Sequence, residues 1–477
     1  MISRIRNITI LLFFCVANMV SAQDLTTILS AAPNQEAIWS VTVRDTSGNI
    51  LEGWNSDKLI IPASNQKLFT TAAILDGLGS DFRFKTHIYG DGVLVDSVWE
   101  GNLVIKGSGD PSISGFMYED NRYYVFSQLT KQLKEHGIKE INGTLIADVS
   151  YFDRQIYPKG WDWDDLSFYY GVEIAPLSFN NNAVDLVVVA DGEVGQRPSI
   201  SWFPANTSYV SFINYQTITA PGTEYDEYYR RDLGSNRIVL GSTMPKGYIE
   251  KESLSIDGAS MFFLQSFRSF MNDSGIKASG SYMVQNPSPH IQNMEVLASH
   301  TSEPLSRLIE WTNKESDNFY TEMMLKTLDA EKSKEPGSFE FGINQVRDFL
   351  GRMEIDTTYV IMKDGSGMAS GNFTKTSILS EFLVKMQHHP EFEAFYNSLS
   401  VAGIDGTIAH RMKGSPLYNN FKGKSGYVGG VRTLSGYFTT KSGQEIVVSL
   451  SANNFIGKVR PIDATHLEIL QYLYEKY

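Results

Sequence analysis

Apolar and polar positions change rhythm several times along this chain. Residues 37–43 and 51–54 read as two strands around the turn Asp45-Thr46-Ser47-Gly48-Asn49, a hairpin pattern. Residues 65–78 have the spacing of a helix, with Pro62 and Ser64 as start signals and Gly77 and Gly79 as stops. From 86 to 290 the pattern turns to short β-rich runs, among them 103–106, 145–148 and 184–189, broken by one predicted helix at 125–136. Helical spacing returns at 304–328, 342–353 and 376–386. Strands at 433–440 and 445–452, joined by Lys441-Ser442-Gly443, precede a final helix at 462–474. Helix and strand at both ends, with a β-rich middle, predict an α/β (α+β) domain of residues 23–85 and 291–477. Residues 86–290 would interrupt it as an insertion of two subdomains.

The first 22 residues follow another rule. Arg4 and Arg6 precede a mostly apolar run, 8–20, and Val20-Ser21-Ala22 places small residues before Gln23. That is the pattern of a cleaved signal peptide, 1–22, and the run is short for a bilayer span. Export to a periplasm is expected, with no membrane span after cleavage. Cys15 lies inside this segment, so the mature chain would have neither disulfide nor thiol nucleophile. Losing two arginines would move the formal charge from −13 to −15, which speaks against nucleic-acid binding.

Candidate chemistry begins at Ser64. A hydroxyl needs a base to act as nucleophile at neutral pH, and a desolvated lysine can serve. Ser64 and Lys67, three apart at a helix start, share one face. Ser274 and Lys277 repeat the spacing, but glycines at 275 and 280 favour a loop there. Ser316-Asp317-Asn318, inside the predicted 304–328 helix, offers a hydroxyl to relay a proton and an amide to bind a carbonyl. Lys424-Ser425-Gly426 opens a β pattern. There a cation and hydroxyl can receive a carboxylate, and glycine lets a substrate backbone approach. His388-His389 lacks metal-site spacing and reads as a solvent-facing helix end, and the aromatic residues of 151–170 read as β-domain core. No metal or cofactor is implied.

S-x-x-K, S-D-N and K-T-G in this order are the signature of class A β-lactamases and penicillin-binding proteins, here with serine in the third motif. Ser64 and Ser316 lie 252 positions apart, against roughly 60 in class A β-lactamases. Further segments are Pro62-Ala63-Ser64-Asn65-Gln66-Lys67-Leu68, Lys106-Gly107-Ser108-Gly109-Asp110-Pro111, Asp364-Gly365-Ser366-Gly367-Met368 and Ala402-Gly403-Ile404-Asp405-Gly406-Thr407. With these the chain resembles the class C low-molecular-mass penicillin-binding proteins, the D-alanyl-D-alanine carboxypeptidase/endopeptidases of serine peptidase family S13.

The resemblance implies a penicillin-recognising, β-lactamase-like domain carrying two extra domains. It implies peptidoglycan stem peptides as substrates and β-lactams as covalent inhibitors. Ser64 would be acylated with Lys67 as base, Ser316 would shuttle the proton and Asn318 would hold the substrate amide. Lys424, Ser425 and Gly426 would receive the terminal carboxylate, and the amides of Ser64 and Tyr427 would form an oxyanion hole. Asp165, in Gly160-Trp161-Asp162-Trp163-Asp164-Asp165, would meet a diamino-acid side chain. Met368-Ala369-Ser370 departs from the family's Leu-Ser-Arg, removing an arginine contact. A β-lactamase or esterase of the same fold, and a noncatalytic cell-wall binding protein, stay open as alternatives.

Overall fold

The computed structural model describes residues 24–477 apart from 34, 206 and 287–290; the predicted signal peptide lies outside them. Both ends of the chain build one six-stranded antiparallel sheet, in the order Ser400–Val401, Lys422–Val428, Val431–Thr439, Glu445–Asn453, Ile38–Asp45, Ile50–Trp54. The sheet is covered on both faces, so Glu445–Asn453 is buried almost throughout rather than alternating. Ile446, Val448 and Leu450 point to one core with Val41 and Val43, shared with Ile469, Leu470 and Leu473 of the terminal helix Val459–Lys476. Val447 and Tyr437 point to the other core, among the helices Gln66–Leu78, Asn318–Ser333 and Thr376–Met386. Gln66–Leu78 is buried on every side from Gln66 to Leu75, which makes it the central helix of this body.

The predicted helix over 304–328 is two helices, Leu305–Glu315 and Asn318–Ser333. Ser316 breaks it with φ 62°, and Asp317 caps the second helix by accepting from Tyr320 N at 3.0 Å. Neither glycine nor proline announces this break. The Asp317 carboxylate supplies it, by satisfying a helix-start amide that a continuous helix would have used otherwise.

Residues 85–301 build a second set of sheets. Lys85–Val95 and Val98–Lys106 form a hairpin at the heart of a seven-stranded mixed sheet that also takes in Leu145–Asp148 and Glu295–Thr301. That last strand belongs to this sheet although the expected insertion stops at 290. Smaller sheets follow, including Ala183–Val189 between Ile249–Ser255 and Ser199–Phe203. The helices Tyr124–Glu135 and Ala259–Asp273 pack their apolar faces between the sheets, with Phe126, Phe262, Phe263 and Phe267 in one continuous cluster. The second of these helices was not predicted. Among the described residues no helix is long and apolar enough to cross a membrane.

The stretch 151–183 returns to the first body: Phe152, Val172 and Ile174 are buried in its helical core. Its tyrosines and tryptophans are thus not the core of a β-domain, although Phe168 packs against the core of the β-rich region and Phe179 belongs to it. Trp161 donates to Asp364 at 2.9 Å, Trp163 is exposed, and the Tyr170 carbonyl accepts from Asn318 at 3.0 Å. His389 is not free at its helix end either. Its Nε2 lies 3.2 Å from Asp76 and its ring meets Phe349 edge-on.

Candidate active site

Ser64 sits in a 3-10 turn, Ala63–Asn65, that leads into the central helix. Ala63 is fully buried with φ 46°, a left-handed conformation unusual for a residue with a side chain. The turn is held from below by Thr433 Oγ1, which donates to Pro62 O at 2.9 Å, and by the buried Asn65 amide, 2.6 Å from Ser435 Oγ.

Lys67 Nζ lies 3.2 Å from Ser64 Oγ, 2.6 Å from Asn318 Oδ1 and 2.8 Å from Ser366 O. An ammonium has three donors and each has a partner. Two of these partners can only accept, whereas a hydroxyl can also donate. When the amine is neutral, its two N–H groups stay on Asn318 and Ser366, and its lone pair is left facing the Ser64 proton. Burial brings this amine down from 10.5 to about 8, outweighing the opposing pull of Asp364, Glu322 and Asp317. At pH 7 about a tenth of the lysine is then free base, against roughly one part in three thousand for an exposed lysine.

The second cation lies opposite. Lys424 Nζ donates to Ser316 Oγ at 2.7 Å and to Ser425 O at 2.9 Å, neither of them an anion. Burial pushes its pKa well below the ordinary lysine value, with Lys67 and Arg432 acting in the same direction. Such a site favours an incoming carboxylate, which supplies the missing counter-charge. Ser425 Oγ bonds Thr407 Oγ1 at 2.8 Å, so the Ala402–Thr407 motif supports this end of the cleft.

Gly426 explains how the strand Lys422–Val428 comes so near Ser64. A Cβ here would stand 2.4 Å from Thr433 Oγ1 and 2.8 Å from Ser64 N. Only glycine permits that approach, and it brings the strand beside the Ser64 amide. Tyr427 follows, with its side chain exposed at the rim.

Asn318 opens its helix with Oδ1 on Lys67 and Nδ2 on the Tyr170 carbonyl and, at 3.4 Å, Met368 Sδ. Met368 thus contacts the site from the position where the family resemblance shows a departure. Asp165 begins the 3-10 turn Asp165–Ser167 just before Tyr170. Its carboxyl is pushed up by burial and by Asp164 and Asp162, and it hydrogen-bonds with Tyr170. The structure therefore gathers Ser64, Lys67, Ser316, Asn318, Lys424, Ser425 and Gly426 into one cleft, with Asp165 held alongside through Tyr170. Ser274 and Lys277 are elsewhere: one caps a helix end and the other pairs with Glu140 at 2.9 Å.

Sequence reasoning missed a supporting layer. The Asp364 carboxylate accepts from the amides of Gly367, Met368 and Ala369, each at 2.9 Å, and shapes the loop that turns Ser366 O toward Lys67. Glu322, fully buried, accepts from Ser366 N at 2.7 Å and Gly365 N at 2.9 Å. Its spacing of four from Asn318 on one helix face is a signal that goes with many surface residues and did not single it out.

Known proteins carry the same arrangement of chain. Residues 21–467 match the model of the D-Ala-D-Ala carboxypeptidase 3 (S13) family. The D-alanyl-D-alanine carboxypeptidase of Actinomadura sp. (strain R39) is 27% identical over 449 residues, covering 91% of this chain and 81% of that protein. The crystal structure of penicillin binding protein 4 from Haemophilus influenzae superposes with a TM-score of 0.82 at 24% identity, over 96% of this chain and all of that one. The same protein complexed with a β-lactam gives 0.76 at 24% identity, over 94% and 99%. The structural likeness establishes the fold, and the family match over nearly the whole chain goes further: this protein belongs to the D-Ala-D-Ala carboxypeptidase 3 (S13) family.

Proposed function

We propose that this enzyme hydrolyses D-alanyl-D-alanine ends and D,D cross-links of peptidoglycan stem peptides through an acyl-enzyme on Ser64. The reading is carried by the partners of Lys67, whose free amine has one hydroxyl within reach and two fixed acceptors. Ser64 Oγ attacks the penultimate D-alanine carbonyl carbon while Lys67 Nζ takes its proton. The amides of Ser64 and Tyr427 receive the oxyanion. The C–N bond breaks as Ser316, held by Lys424, passes its proton to the leaving amine and takes the one Lys67 carries, so that Lys67 is again a free amine. Water then adds to the ester, its proton going to Lys67, and the ester C–O bond breaks as Ser64 Oγ takes that proton back from Lys67. Asn318 holds the substrate amide, Lys424 with Ser425 holds the terminal carboxylate, and Asp165 meets the ammonium of the diamino acid. In a β-lactam the leaving amine stays tethered, so the ester persists.

The same reading takes 1–22 as a signal peptide and puts the mature protein in the periplasm. It takes 23–85 and 291–477 as the peptidase unit, with 86–290 inserted and strand Glu295–Thr301 joined to that insertion. Labelling by a fluorescent penicillin tests the central claim: wild type should label and Ser64→Ala should not. Labelling that survives the substitution would sink it. Purified cross-linked muropeptides then separate cross-link cleavage from release of terminal D-alanine.

A further inference from the structure

Lys67 is steered by a peptide unit as well as by the Asn318 side chain, and that unit is clamped from three directions. The Ser366 carbonyl reaches Lys67 Nζ at 2.8 Å, Thr70 Oγ1 donates to Gly365 O at 2.7 Å, and Glu322 receives both adjacent amides. Gly367, with φ 83°, turns the loop so closely onto the nucleophile's turn that a Cβ would lie 2.0 Å from Ala63 O. A buried carboxylate is expensive without hydrogen bonds, and Glu322 takes its bonds from backbone amides of the loop that points at Lys67.

We propose that Glu322 is a positioning residue of this site, fixing the Ser366 carbonyl on Lys67 Nζ and tuning the basicity of that amine. It touches no substrate atom in this scheme; it acts through the 364–367 loop and through its charge. Facing Glu322 are Lys67 from the central helix, Asp364 from the loop and Lys326 one turn along its own helix, while Asp317 acts on Lys67 itself and Lys67 in turn on Lys424. Burial, helped by Asp364, raises the Glu322 carboxyl to about 8, close to Lys67, so the two groups exchange charge over the same pH range. A carboxylate there favours the ammonium; its neutral form releases the free base.

The inference rests on the Ser64–Lys67 reading and is tested with the full chain. Acylation by a fluorescent penicillin is followed from about pH 5 to about pH 10 for wild type, Ser64→Ala, Glu322→Gln, Glu322→Asp and Glu322→Ala. Glutamine keeps an acceptor for both amides but loses the charge, so its acid limb should move about one unit lower. Aspartate restores the charge on a shorter arm and should return the limb toward the wild-type pH. Alanine frees the loop, and its rate on the alkaline plateau should fall about tenfold to a hundredfold. An unmoved limb in Glu322→Gln overturns the inference, as does a Glu322→Ala plateau within about twofold of wild type. Glu322→Gln, isosteric with the native side chain, keeps the test decisive if the alanine variant does not fold. Wild type that fails to label, or Ser64→Ala that labels, sinks the nucleophile assignment instead. Ser64-dependent labelling with unaltered Glu322 variants sinks only the role of Glu322.

Discussion

Gly426→Ala adds one methyl group where the strand Lys422–Val428 meets the backbone of Ser64, the proposed nucleophile. The new carbon would lie 2.8 Å from Ser64 N, 3.1 Å from Ala63 Cβ and 2.4 Å from Thr433 Oγ1, while ordinary contact begins at 3.4 Å. Thr433 cannot swing aside freely, because its hydroxyl anchors the Pro62 carbonyl below the same turn. Relief therefore needs the strand and the turn to part by about 0.6 Å at Ser64 N. Both amides proposed for the oxyanion sit on the two surfaces being separated. Loss of one such donor costs about 2.7–4 kcal/mol in the transition state, or roughly 10²- to 10³-fold in rate. We expect the second-order rate constant for acylation by a fluorescent penicillin to fall about a hundredfold, with the protein still folded by circular dichroism. A rate within about threefold of wild type would show that this approach does not set the geometry of attack.

Further outcomes follow from the charges in the cleft. With the free amine of Lys67 as the proposed base, acylation of the wild type should rise with pH and level off above about 8; a rate still climbing tenfold per unit at pH 9 would refute a depressed lysine. Burial holds Lys424 well below its ordinary value, and a substrate carboxylate beside it should favour its protonated form. Titration calorimetry of Ser64→Ala with a D-alanyl-D-alanine peptide, run in buffers of different ionisation enthalpy, should report proton uptake, and a zero or negative value would count against it. Arg231 donates to Leu166 O at 3.1 Å and Ser255 Oγ at 3.0 Å, and its own amide bonds Ser167 Oγ, tying the insertion to the turn that holds Asp165. Arg231→Ala should destabilise the fold by about 2–3 kcal/mol in urea denaturation and raise KM for diamino-acid peptides more than it changes penicillin acylation.

The three motifs were legible because each is a local pattern: Ser64 and Lys67 on one helix face, Ser316-Asp317-Asn318 within a helical run, Gly426 in a strand, although the cap at Asp317 that splits that run was not foreseen. Their convergence was legible only through the family resemblance, since nothing in residue spacing brings 64, 318 and 424 together. The supporting layer was out of reach for a physical reason. Glu322 and Asp364 bind backbone amides, and every residue but proline has one, so no partner residue marks them in the sequence. The helix Ala259–Asp273 was hidden by its phenylalanines, which are strand formers by propensity; Phe263, Phe267 and Met271 follow helical spacing instead, and burial decided the outcome. Residues 151–170 were misread because aromatic density says that a surface is covered, not by what.

The position of strand Ile38–Asp45 in the six-stranded sheet makes a clock of chain synthesis. It pairs along its length with Glu445–Asn453, so the first strand made waits for the last. At about 5–20 residues per second the wait is roughly 20 to 80 s, and such distant pairings close slowly even then. Throughout it, Ser64 and Lys67 exist without Lys424 or the strand that carries Gly426. A nascent chain, or one clipped before residue 424, therefore lacks half of the proposed cleft.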